Sequence, residues 1–316
     1  MVKILLSTGG TGGHIFPILS LYKKLKKFES IGDVKIITDN RAKKFIDFND
    51  FKIIYADSPF RKKGIIHIIK TLFYIFFSTL KCFYIVIFFN PNIVIGSGGY
   101  VSFPVLLACL ILRKKFILYE TNAVLGRVNR LFLPYCEKLL SGYSIIQDFP
   151  QKYLDKFHHV GQLVRDKFLQ MSNETVISKN SSKIDNKVLN VLVLGGSQGA
   201  KVLGEKLPKC FKILYDNKIK LSVKQQVQKE QLNEIKTFYN KNVKFNVLLF
   251  EFNKNIEDYI IEADIIICRS GSSTIAELSI LNKPFIAIPL PGSLDNHQYF
   301  NAKYYYNKDC CWLLDE

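Results

Sequence analysis

Twice along this chain a short, strongly apolar run ends in a glycine-rich turn, and each time an amphipathic stretch follows. The first run, Val2–Leu6, enters Gly9-Gly10-Thr11-Gly12-Gly13-His14, and the second, Val188–Leu194, enters Gly195-Gly196-Ser197-Gln198-Gly199-Ala200. Apolar runs of this length bounded by turn residues read as strands buried on both faces, which is how a parallel sheet covered by helices presents itself. Further runs at Val34–Ile37, Ile93–Ile95 and Phe116–Leu118, and later at Leu221–Val223, Val247–Phe250, Ile265–Cys268 and Phe285–Ile288, alternate with longer helical stretches. The pattern predicts an α/β chain with two Rossmann-like domains, their parallel sheets facing a cleft. A length of 316 residues accommodates two such domains. Met171–Lys187, rich in Ser, Asn and Lys, reads as a surface loop or linker margin between the halves.

Composition narrows the class. With 48% hydrophobic and 22% charged residues the chain packs a core, which excludes intrinsic disorder. Lys plus Arg exceed Asp plus Glu by 44 − 27, a net charge of +17, which points to a polyanionic partner. A second origin stands beside that reading, because Lys, Asn, Ile, Phe and Tyr, all abundant here, share A/T-rich codons. Nucleic acid is disfavoured as the partner because no recognised binding module accompanies the charge. The seven Cys include no C-x-x-C pair and mostly sit in apolar runs, so disulfide and zinc frameworks are disfavoured and a reducing cytosol fits. The N-terminus reads as a buried first strand rather than a signal peptide, which needs a longer apolar region and a cleavage site.

Gly64–Phe89 stands apart as a nearly continuous apolar segment interrupted by His67, Lys70 and Lys81. It is long enough for a membrane span, but a strand at Asn92–Ile95 follows almost at once. A helix buried against the sheet explains much of it. Flanking Arg61, Lys62 and Lys63, and Arg113, Lys114 and Lys115, also suit a patch that docks on an anionic membrane surface.

Four motifs carry chemistry. In the first turn, glycines allow positive φ and leave no Cβ, so a phosphate can approach the backbone N–H groups and the start of the following helix. The spacing is not that of the dinucleotide fingerprint. His14, at the turn–helix junction, suits a general base because an imidazole ordinarily titrates near neutrality, although a helix-start histidine without catalytic role has the same appearance. Gly96-Ser97-Gly98-Gly99-Tyr100 repeats the arrangement after another strand, and Gly195–Ala200 gives the second half its own. The fourth stretch, Cys268-Arg269-Ser270-Gly271-Ser272-Ser273-Thr274, opens a helix containing Glu277, whose carboxylate can accept from a ribose diol. Pro289–Gln298 then reads as a loop rich in amide and carboxylate groups, suited to sugar hydroxyls.

GGTGGH, GSGGY, Glu120-Thr121-Asn122, GGSQGA, RSGSST…E and DNHQ occur here in the order found in one bacterial family. From residue 1 to about 310 the chain resembles the MurG family, N-acetylglucosaminyltransferases that convert lipid I to lipid II in peptidoglycan synthesis. The resemblance implies a GT-B fold and an inverting mechanism with no cofactor and no tightly bound catalytic metal. It implies UDP-GlcNAc as donor and undecaprenyl-diphosphoryl-MurNAc-pentapeptide as acceptor. It also implies peripheral attachment to the cytoplasmic membrane face, and contact with other cell-wall synthesis proteins. Residues 1–163 become the acceptor- and membrane-binding domain, and residues 164–316 the UDP-GlcNAc domain.

Carried over by motif, Thr11, Gly12 and Gly13 lie against the substrates and Asn122 reaches the donor. Arg165 and Ser197 meet the diphosphate, and Asn253 falls at a backbone contact to uracil. Ser272, Ser273, Thr274, Ile275, Ala276 and Glu277 hold phosphates and ribose, Gln298 holds the GlcNAc hydroxyls, and His14 is the general base or an acceptor-binding group. Two departures stand out. Val160-Gly161 is followed by Gln162-Leu163 where the family commonly has Asn-Pro, so a looser turn that displaces Arg165 is expected. Family members also usually extend several tens of residues past the position matching Glu316. The rival readings are a UDP-GlcNAc epimerase of similar build and an inactive sugar-nucleotide-binding remnant.

Overall fold

The computed structural model describes residues 1–9, 12–45, 51–54, 65–175, 188–196, 200–253 and 255–316. They form two compact units, Met1–Arg165 and Asp166–Glu316. The first unit runs β1 (Val2–Ser7), α1 (Gly12–Leu25), β2 (Ile31–Thr38), β3 (Phe51–Ile53), α2 (Ile65–Phe89), β4 (Ile93–Gly96), α3 (Gly99–Ile111), β5 (Phe116–Glu120), α4 (Arg127–Phe132), β6 (Lys138–Ser141) and β7 (Phe157–His159). Its seven strands form one parallel sheet in the order β3-β2-β1-β4-β5-β6-β7. Strand alternation distributes the apolar residues of β1 to both faces. Leu5 joins Val94 and Leu118 under α2 and α3, whereas Ile4 and Leu6 join Ile15 and Ile18 of α1.

The second unit runs α5 (Asp166–Thr175), β8 (Leu189–Leu194), α6 (Lys201–Asp216), β9 (Leu221–Gln226), α7 (Leu232–Asn242), β10 (Asn246–Phe250), α8 (Ile256–Glu262), β11 (Ile265–Cys268), α9 (Ser272–Ile280), β12 (Phe285–Ala287), α10 (His297–Tyr306) and β13 (Trp312–Leu313). Its six strands are parallel in the order β10-β9-β8-β11-β12-β13. Each apolar run read from the sequence overlaps a strand. The strands without a clear signal, β3, β7 and β13, are sheet edges of two or three residues, and β6 is a four-residue strand beside the edge. Edge strands bury little and so need no apolar run. Two expectations change. Met171–Thr175 is the last part of α5 rather than loop, and Pro289–Gln298 already contains the start of α10. The rest of the expected linker, residues 176–187, lies outside the described residues.

The apolar segment forms a 25-residue helix, α2, long and apolar enough to cross a membrane by length and composition. It is the crossover between β3 and β4, which lie in the same parallel sheet, and Cys82, Ile85, Val86 and Phe89 belong to the core. That leaves fewer than the ~20 free residues a span requires. Its polarity is inverted: Thr71 and Ser78 are buried, while Ile66, Phe73 and Phe88 are 82%, 59% and 69% exposed. The expectation of a helix simply buried against the sheet therefore holds for its C-terminal part and not for the rest.

Candidate functional site

In each unit the strand order reverses at one place, and there the helices leaving neighbouring strands go to opposite faces of the sheet, opening a crevice beyond the carboxyl ends. In the first unit that place is β1/β4, where Ser7 is in register with Gly96 and Ser97 N–H donates to Ser7 O at 2.9 Å. The GGTGGH and GSGGY turns thus emerge side by side. Gly98 and Gly99 hold φ of 74° and 72°, which the turn into α3 requires and which side-chain-bearing residues adopt at a cost. Ser102 closes the pair by donating to Gly98 O at 2.8 Å.

His14 lies in the first turn of α1, half-buried, and its carbonyl accepts from the Thr8 hydroxyl at 2.8 Å. Gly12 and Gly13 begin the same helix; a Cβ at Gly12 would come 3.2 Å from the Phe16 ring. The same ring carries Arg165, whose guanidinium carbon sits 5.0 Å from its centre. Phe16 therefore links the first glycine turn to the arginine at the end of the unit. Thr11 and Gly10 lie outside the described residues.

Asn122 follows β5, the strand beside β4, and its position is dictated by Glu120. One Glu120 oxygen accepts from Asn122 N–H at 3.0 Å and the Asn122 amide at 3.3 Å. The other accepts from Gly126 N–H at 2.9 Å and the Asn129 amide at 2.8 Å. Burial pushes the Glu120 carboxyl above the usual range, opposed by those same four donors. Sequence reading placed Glu120 in a motif but assigned it no role; an acidic residue ending an apolar strand was the available signal. The turn before Arg165 is not loose. Gly161 takes φ of 80°, and Tyr119 and Gln162 tie the segment down by hydrogen bonds to Gly161 O, Leu163 N–H and Thr121 O.

The second unit repeats the logic at β8/β11. Cys268 is in register with Leu194, and Arg269 N–H donates to Leu194 O at 3.2 Å, so GGSQGA and RSGSST also leave adjacent strand ends. Ser197 lies outside the described residues, and Gly196 has φ of 81°. Helix α9 opens on Ser272, with Ser273 and Thr274 half-buried in its first turn and Ile275, Ala276 and Glu277 buried behind them. Its first N–H groups are an anion-binding end. The buried Arg269 guanidinium donates to Ile288 O at 3.1 Å and Pro289 O at 3.0 Å and pairs with Glu316, so it braces the loop after β12.

Gln298 lies in the first turn of α10, and its side-chain oxygen accepts from Leu290 N–H at 3.0 Å, which orients its NH2 group away from that bond. Two consecutive non-glycine residues with positive φ, Asp295 and Asn296 at 53° and 56°, precede it. Strain of this kind collects at functional loops. Asn253 follows β10, and its side-chain oxygen accepts from Asn255 N–H at 2.9 Å, folding the backbone back before α8. Within the first unit Gly12 and Arg165 meet at Phe16, Gly13 and His14 lie in the same first turn of α1, and Asn122 follows β5, one strand beyond β4. Within the second it groups Ser272–Glu277 with Gln298 through Asn301, whose amide donates to Ser270 O at 3.2 Å.

Comparison with known proteins adds a lineage. Residues 4–141 match the glycosyltransferase family 28 N-terminal domain and residues 190–316 the family 28 C-terminal domain. A protein of Pelagibacter ubique is 36% identical over 99% of this chain and 85% of its own length. Its name is UDP-N-acetylglucosamine--N-acetylmuramyl-(pentapeptide) pyrophosphoryl-undecaprenol N-acetylglucosamine transferase. A Rickettsia felis protein of the same name is 33% identical over 100% of this chain and 87% of its own. Among solved structures, MurG of Acinetobacter baumannii superposes with a TM-score of 0.76 at 23% identity, covering 100% of this chain and 86% of that one.

Proposed function

The chain belongs to glycosyltransferase family 28, and within it to the MurG family with its GT-B architecture; from that premise we propose how its residues divide the reaction. The chain is a UDP-GlcNAc-dependent N-acetylglucosaminyltransferase that converts lipid I to lipid II. The observation that carries the site assignment is the pairing of glycine-rich motifs at both strand-order reversals, β1/β4 and β8/β11.

Residues 1–163 take the lipid-linked acceptor and residues 164–316 the donor. The C4 hydroxyl of the acceptor MurNAc attacks the anomeric carbon of GlcNAc, the bond to UDP breaks, and configuration inverts. His14 removes the hydroxyl proton as general base. Negative charge grows on the departing diphosphate, where the α9 N-terminus, Ser197 and Arg165 stabilise it. Thr11, Gly12 and Gly13 line the reacting centre, and Asn122 reaches the donor sugar. Ser272, Ser273, Thr274, Ile275 and Ala276 hold the phosphates, Glu277 the ribose hydroxyls, and Asn253 the uracil through its backbone. The Gln298 NH2 group, oriented by Leu290, donates to a GlcNAc hydroxyl. The inverted polarity of α2 supports peripheral attachment to an anionic membrane on the cytoplasmic side, where the acceptor's lipid resides. Other cell-wall synthesis proteins are expected neighbours on that surface.

Transfer of labelled GlcNAc from UDP-GlcNAc onto a lipid I analogue tests the reading. Lipid-linked disaccharide is expected; bound UDP-GlcNAc without product indicates an inactive remnant, and free UDP with N-acetylmannosamine indicates an epimerase. For His14→Ala a fall of roughly a hundredfold or more in kcat is expected, and a near-normal rate at saturating substrates removes the base assignment.

A further inference from the structure

The segment Val160–Arg165 closes the first unit and is fastened at several points. Val160 N–H donates to Ser141 O at 2.9 Å, which seats the start of the segment on the end of β6. Gly161 turns the chain with φ of 80°. The buried Tyr119 hydroxyl then brackets the turn, donating to Gly161 O at 3.3 Å and accepting from Leu163 N–H at 2.9 Å. The Gln162 amide donates to Thr121 O at 3.0 Å. Thr121 lies between Glu120 and Asn122, in a loop that the Glu120 carboxylate independently secures. Gly142 leaves the space in which the Gln162 amide sits, since a Cβ there would lie 2.4 to 2.6 Å from its atoms.

We propose that Gln162 is a positioning residue: by tying the turn to Thr121 O it holds the Arg165 guanidinium over Phe16, in place for the donor diphosphate. Three observations carry it. The amide bonds a backbone carbonyl that is already fixed, so the bond adds a tether to the segment ending at Arg165. The pocket for the amide exists because residue 142 is glycine. Arg165, three residues on, stacks on the helix that carries His14. The inference rests on the donor role proposed above for Arg165.

The test measures UDP-GlcNAc affinity by calorimetry, and KM and kcat by transfer assay, on the full chain. Gln162→Ala removes the amide. Gly142→Ala expels it without altering it, at small cost to folding because the displaced group is the end of a flexible side chain. Each is expected to weaken UDP-GlcNAc roughly three- to tenfold, the worth of one hydrogen bond, with the acceptor KM unchanged. Because all three changes act through one guanidinium, neither adds to the other or to Arg165→Ala. Unchanged donor affinity, additivity with Arg165→Ala, or a lower melting temperature and kcat at constant KM overturns the positioning role while leaving the donor reading intact. Unchanged affinity in Arg165→Ala overturns the arginine's donor role and this inference with it. A wild-type chain that does not bind UDP-GlcNAc overturns the reading beneath both.

Discussion

Glu120 is the residue on which the first unit's site loop depends, and its removal has a calculable cost. In Glu120→Gln the side-chain oxygen can serve one pair of donors, while its NH2 group confronts the other pair. The Asn122 amide also reaches Thr121 Oγ1 at 3.2 Å, and the Asn129 amide also reaches Tyr119 O at 3.3 Å, so both amides keep a second partner. The group stranded is therefore one backbone N–H, of Asn122 or of Gly126, which costs about 1–3 kcal/mol when buried. Glu120→Ala strands both and loses all four bonds, for about 3–5 kcal/mol. Urea unfolding at neutral pH measures both, and Glu120→Gln within about 0.5 kcal/mol of wild type refutes the reasoning. The pH dependence carries a sign of its own. Burial raises the folded carboxyl above its unfolded value, so the linked stability is fully present below the unfolded value and is lost as pH rises through the folded one. Wild type should therefore gain on the non-titrating Glu120→Gln as pH falls through that window. A shrinking advantage means that the four donors outweigh desolvation.

Glu277→Ala should weaken UDP-GlcNAc by roughly tenfold or more, the worth of hydrogen bonds to a charged acceptor, and unchanged affinity by calorimetry removes the ribose assignment. On α2, Phe73→Ser with Phe76→Ser removes exposed aromatic surface and should cut flotation with anionic vesicles while leaving the melting temperature within a few degrees of wild type. Binding of the parent chain that ignores both anionic lipid and salt contradicts the electrostatic part of that surface.

Much of this protein was legible in its residues because a parallel sheet buried on both faces demands apolar strands, and phosphate loops demand glycine at fixed offsets. The two-unit α/β plan, the central strands and the four motifs follow from Val2–His14, Ile93–Tyr100, Val188–Ala200 and Ile265–Glu277 alone. Edge strands β3, β7 and β13 were not legible, since a strand that buries little carries little pattern. Nor was the end of α5, whose polar run Ser172-Asn173-Glu174-Thr175 looks like a loop.

What tertiary structure alone decided is adjacency. Strand order sets the strand end leading into GGTGGH beside the one leading into GSGGY, and likewise for GGSQGA and RSGSST, although roughly eighty residues separate the members of each pair in the chain. It assigns Glu120 four donors, places Arg165 over Phe16, and fits the Gln162 amide into the space of a missing Cβ at Gly142. It also turns α2 inside out, burying Thr71 and Ser78 and exposing phenylalanines, which periodicity in a uniformly apolar segment cannot reveal. Composition and spacing report what each residue prefers locally; which groups meet depends on strand order, and that is a property of the folded sheet.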